Sequence, residues 1–248
     1  MKFSYAEAWQ DAVRMLRSNA SLFLGIAGAF FFLPALLVGY FAPQPEPQPT
    51  IAATIDAMQA YMDLNWHWVL LANLVNSLGA IAMYLLLFDA QGRTVGAAIA
   101  AALPILPLYF VLSLILSLSI LLGLVLAIVP GVYLIGRLTI SGAVMVAERR
   151  RNPIAALGGS WRLTKGKGWA VAGFLLVVFV VGWIFSLAVT SVLGSIFLLA
   201  AGNEGLGPLL VLILDSALEA AVSVVMIVLY AAIYRRLEAP ASAPAAAG

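Results

Sequence analysis

The chain has no cysteine and a single histidine, His67. The first absence excludes disulfides, thiolate metal sites, palmitoylation and a lipoprotein anchor. The second leaves no histidine cluster and no H-E-x-x-H, and neither a glycine-rich phosphate loop nor G-x-S-x-G is present, so the sequence predicts no cofactor and no catalysis. Charge is nearly as scarce. Only 10% of residues are charged, against about 25% in a soluble domain, and the mean hydropathy is +1.06. Lys and Arg are missing altogether from 18 to 92 and from 168 to 234. A net charge of +2 in such a chain gives no reason to expect nucleic acid as a partner.

What fills the gaps is apolar. Thr94 to Gly136 runs 43 residues without a charge, and 18–45, 64–88 and 168–203 are likewise uncharged. A transmembrane helix needs about 20 apolar residues to cross a core roughly 30 Å thick. The runs therefore predict an all-α, polytopic membrane bundle of six transmembrane helices, at 19–42, 66–88, 103–126, 130–147, 169–199 and 207–234. The break in the longest run is placed at Gly123 and Pro130-Gly131, with Pro130 opening the next helix. The first run is too long for a signal-peptide core and is read as an uncleaved span. A single membrane domain over 1–238 is expected, with an outer loop at 43–65 and a disordered alanine- and proline-rich tail at 239–248. The loop opens with four alternate prolines, a stiff extended spacer, and 50–64 reads as a short surface helix.

Lys2, Arg14, Arg17, Arg93, Arg149, Arg150, Arg151, Arg162, Lys165, Lys167, Arg235 and Arg236 then fall on one side of the membrane, and the opposite loops carry only Glu46, Asp56, Asp63 and Glu204. By the positive-inside rule the basic side is the cytoplasm of a bacterial inner membrane, with both termini there. Three short amphipathic interfacial helices lie on that side. Each begins at a capping residue followed four positions later by alanine: Ser4 and Ala8, Thr94 and Ala98, Asn152 and Ala156. One reading is a helix-plus-hairpin unit used three times; the other is three independently capped helices. Ser4 with Glu7 fits a capping box. On the first helix Tyr5, Trp9, Val13 and Leu16 form the apolar stripe, and on the third Ile154, Leu157 and Trp161 do, faces suited to the headgroup plane. Arg149, Arg150, Arg151, Arg162, Lys165 and Lys167 are candidate contacts to anionic lipid headgroups on the cytoplasmic side, at about 1 kcal/mol each.

Charges inside hydrocarbon cost about 2.5 to 3.5 kcal/mol on insertion scales and mark candidate sites. Arg137, Asp215 and Glu219 are the three. Counted from the outer helix ends they share a layer with Asn73 and Asn76, which predicts a buried polar layer where Arg137 pairs with Asp215 or Glu219. Such a layer serves helix packing and register without any substrate. A proton or ion path through the second carboxylate is the alternative. His67, between Trp66 and Trp68, reads as part of an interfacial aromatic belt.

The run from Pro104-Ile-Leu-Pro107 through Ile128-Val-Pro-Gly131, Ala143-Val-Met-Val146 and Trp161-Arg-Leu-Thr164 resembles the YciC-type family of proteobacterial inner-membrane proteins, over nearly the whole chain. Pro130-Gly-Val-Tyr133, Glu148 and Ser160-Trp-Arg-Leu-Thr-Lys-Gly166 are also similar to the glycerophosphoryl diester phosphodiesterase membrane domain, whose catalysis belongs to a separate soluble barrel. Arg137 departs from the YciC-type pattern. The resemblance implies a six-helix inner-membrane protein and carries over no activity. The expectation is a non-enzymatic envelope or lipid-associated accessory or scaffold, with membrane lipids and a membrane protein as the partners considered. A small transporter or channel built on the polar layer, or a membrane-anchoring module related to glycerophosphodiester metabolism, are the alternatives.

Overall fold

The structure, a computed structural model, describes residues 4–89 and 92–239. Lys2 and the tail from residue 240 lie outside them. The described residues form ten helices, in order α1 Tyr5–Ser18, α2 Ala20–Phe41, α3 Ile51–Phe88, α4 Val95–Ala102, α5 Leu106–Leu126, α6 Ile128–Leu138, α7 Ser141–Ala147, α8 Pro153–Leu163, α9 Gly168–Ala201 and α10 Leu206–Glu238. Among the described residues there is no strand. Six segments are long and apolar enough to cross a membrane, namely α2, α3, α5, α6 with α7, α9 and α10. The chain is a multi-pass membrane protein.

Three elements differ from the sequence reading. Residues 51–64 are not a separate surface helix but the first turns of the 38-residue α3, because neither Gly nor Pro interrupts 51–78 and Thr50 caps the start by accepting from the Ala53 amide at 3.2 Å. The outer loop shrinks to 42–50. The fourth span starts at Ile128, after Ala127 alone takes an extended conformation, and Pro130 falls inside the first turn, where its missing N–H strands no acceptor. This span then breaks at Thr139–Ile140. Ser4 makes no side-chain cap, and its supposed box partner Glu7 pairs with Arg236.

Two spans carry a wide π turn. In α2 it covers Gly28–Phe32, just ahead of Pro34, whose ring cannot continue the regular ladder; in α9 it covers Thr190–Gly194.

The three interfacial helices bury their small residues. Ala8, Ala98 and Ala156 are each 0% exposed, and the residues one turn further on, Ala12, Ala102 and Ser160, are buried too. Only Thr94 and Asn152 cap through their side chains, Thr94 to the Ala97 amide and Asn152 to the Ile154 and Ala155 amides. Each small-residue face packs on the second span of the preceding hairpin: α4 on α3, α8 on α7 and, closing the ring, α1 on α10. Small side chains let the helix backbones approach closely. Tyr5, Trp9, Ile154 and Trp161 stay exposed on the opposite faces, as a headgroup-level helix requires.

The core lies at this basic end, where Ile81–Leu87 of α3 and Ile227–Leu237 of α10 are largely sealed between α1, α4 and α7. At its centre Tyr84 of α3, Tyr109 of α5 and Tyr230 of α10 lie side by side. Toward the far end the helices present apolar side chains outward, Leu118, Val181 and Phe185 among them, a surface matched to hydrocarbon.

Candidate functional site

The expected polar layer does not form. Arg137 is 3% exposed, and its guanidinium stacks 4.1 Å from the centroid of the Trp161 ring with Tyr133 at 5.8 Å. The Ser160 hydroxyl donates to the Arg137 carbonyl at 2.7 Å and that of Thr164 at 3.3 Å. Gly168 leaves room for the Arg137 alkyl chain, since a Cβ there would lie 2.5 Å from Cδ. Asp215 instead accepts from the Thr190 hydroxyl. Gly168 and Thr190 lie on the same helix, 22 residues or about 33 Å apart. Arg137 therefore cannot reach Asp215, nor Glu219 one turn along. The cause is α8, which doubles back along the preceding span from Arg150 and Ala155 to Arg137 and Thr164, and so carries its basic end turn to Arg137. Asn73 is exposed, and the Asn76 amide oxygen is buried without a hydrogen bond. The Nε and Nη1 atoms of Arg137 are also unbonded, which leaves ring faces as the cation's described partners.

The candidate headgroup contacts divide into two groups. Arg162, Lys165 and Lys167 sit at the α8–α9 turn, beside the Arg137–Trp161 pair. Arg149, Arg150 and Arg151 line a cavity of about 530 Å³ between the ends of α3 and α7 and the α4–α5 turn. Arg93 joins them, and the other wall is apolar, with Leu85, Phe88, Ile105, Leu108 and Met145.

The cavity's cations are held differently. Arg93 Nε pairs with Asp89 at 2.8 Å. Arg150 pairs with Glu148 through Nε at 2.6 Å and donates from Nη1 to the Ala155 carbonyl at 3.2 Å, so it staples the turn to α8. Among the described residues Arg149 and Arg151 have no carboxylate partner. Two of the four cavity arginines are thus compensated and two are not.

Arg149 has a further peculiarity. The turn after α7 is a Schellman motif, with the Arg150 amide bonded to the Met145 carbonyl at 2.9 Å and the Arg149 amide to that of Val146 at 3.3 Å. The residue at its left-handed position is normally glycine; here it is Arg149, at φ 52°. A non-glycine residue costs roughly 1 to 2 kcal/mol there. The fold accepts that cost at a cavity-lining residue whose guanidinium has no carboxylate partner among the described residues.

Sequence reasoning missed Arg93 as a cavity member, the Tyr133–Trp161–Trp169 ring cluster around Arg137, and the central tyrosines. The ring cluster had a signal, since Trp161 and Trp169 bracket the basic turn. The tyrosines had none, being separated along the chain. His67 does contact both neighbouring tryptophan rings.

No protein-family model, no curated protein and no solved structure matches the chain.

Proposed function

We propose that this is a non-enzymatic inner-membrane protein, with both termini in the cytoplasm, that holds the headgroup of an anionic phospholipid in the arginine-lined cavity and serves as a lipid-associated scaffold of the envelope. One observation carries the reading: Arg149 and Arg151, without carboxylate partners among the described residues, line the same cavity as Leu85, Ile105, Leu108 and Met145. A lipid phosphate offers the missing negative charge and its glycerol and upper chains fit the apolar wall. The described lining pairs cations with hydrocarbon and includes no nucleophile beside a base, which suits retention of a lipid rather than its cleavage.

Transport is the weaker reading. It rested on a cation and two acids in one layer, and Arg137 stacks on Trp161 some 33 Å of helix away from the acids. Native mass spectrometry of the protein released from nanodiscs tests the proposal. Retention of phosphatidylglycerol over phosphatidylcholine, with one fewer phosphatidylglycerol held by Arg149→Ala/Arg151→Ala, supports it; equal retention of both lipids by both proteins refutes it.

A further inference from the structure

Away from the arginine-lined cavity, α9 and α10 leave an apolar groove of about 480 Å³ between them. Phe174, Val178, Gly182 and Phe185 of α9 form one wall, and Val222 and Met226 of α10 the other. From Phe174 to Ser186 the groove follows α9 for twelve residues, about 18 Å, which is close to one leaflet's share of a hydrocarbon core roughly 30 Å thick. Trp9 of α1 sits at its basic end.

The same tryptophan borders a basic patch on the exposed face of α1, shared with Gln10, Arg14 and Arg17. Its cations are available. Arg14 is 3.7 Å from Asp11, but Asp11 is already engaged by Arg236 at 2.6 Å, and Arg14 keeps a side chain 78% exposed. Arg17 has no carboxylate partner among the described residues. A cationic helix face and a one-leaflet apolar groove thus meet at a side chain that is itself apolar in body and polar at its tip.

We infer that this is a second lipid site: one acyl chain of an anionic phospholipid lies in the α9–α10 groove, its ester region against Trp9 and its phosphate at Arg14 and Arg17. The site shares no residue with the Arg149–Arg151 cavity, and neither depends on the other. Tight anchoring of α1 holds the two halves in register, because Glu7 and Asp11 both grip Arg236 at the end of α10. Gly182 gives the means of closing the groove. A Cβ added there meets only Val222 Cγ2 at 3.6 Å, an ordinary contact, so a side chain can be introduced without displacing the backbone.

The test uses the full chain in phosphatidylcholine nanodiscs doped with phosphatidylglycerol or phosphatidylcholine bearing a photoactivatable diazirine in one acyl chain, with the labelled peptides mapped by mass spectrometry. Phosphatidylglycerol is expected to label 174–186 and 218–226 several-fold more than phosphatidylcholine does. Gly182→Phe and Arg14→Gln/Arg17→Gln should each lower that labelling several-fold, while Gly182→Ala, the control for folding, keeps it. Equal labelling by both lipids means annular lipid only and overturns the inference. So does unchanged labelling in Gly182→Phe, or a groove protected by a second copy of the chain that cross-links through α9.

Discussion

The guanidinium of Arg137 lies 4.1 Å from the centre of the Trp161 ring, and this pair replaces the intramembrane ion pair that composition suggests. Its energetics are open to a double-mutant cycle. Arg137→Leu and Trp161→Leu should couple by about 1 to 2 kcal/mol in thermal unfolding in detergent, the range of a desolvated cation–π contact. Arg137→Leu and Asp215→Leu should be additive, because their contacts on α9 are 22 residues apart. Measurable coupling in the second cycle would restore the polar layer.

Arg149 is a place where stability and binding pull in opposite directions. Arg149→Gly removes the left-handed strain at φ 52° and should raise stability by about 1 kcal/mol. The same change should weaken retention of phosphatidylglycerol in native mass spectrometry. A variant that is stabilised and binds as before would show that the strained arginine has no part in the site.

The glycines separate into contacts and bystanders. A Cβ on Gly136 would collide with the Gly168 carbonyl and come within 2.7 Å of the Ala172 backbone, where neither side can yield. Gly136→Ala should therefore cost about 1 to 3 kcal/mol by forcing α6 from α9. Gly25 of α2 has open space around it, and Gly25→Ala should be neutral or stabilising by roughly 0.5 to 1 kcal/mol through helix propensity. Thermal unfolding of the two proteins side by side decides this; equal effects would contradict the packing described for α6 and α9.

The architecture was legible because hydrocarbon imposes a strong filter: a run such as 168–203, with no charge, has few other homes. The interfacial helices were legible from a weaker signal, an alanine four residues after a polar cap, and Ala8, Ala98 and Ala156 are all sealed. That they form a ring was not, since α1 closing on α10 is a contact between the ends of the chain. The fusion of 51–64 with the second span escaped because Asp56 and Asp63 mark the segment as wet, and a helix can be wet and still continue into the membrane. Arg137 was misplaced for a different reason. Its depth was counted along a straight helix, whereas the break at Thr139–Ile140 and the doubling back of α8 bring the basic turn up to it. Distances along one helix are readable from sequence; the position at which the next helix returns is set by tertiary packing.

The proposed grip of Arg149 and Arg151 on a lipid phosphate is read out by native mass spectrometry of the protein released from mixed phosphatidylglycerol and phosphatidylcholine nanodiscs. In the Gly182→Phe background, which closes the α9–α10 groove, the prediction is a bound phosphatidylglycerol that survives collisional activation with Arg149 and Arg151 in place and in Arg162→Ala/Lys165→Ala, and that disappears in Arg149→Ala/Arg151→Ala. Persistence of that lipid in the Arg149→Ala/Arg151→Ala protein would contradict it.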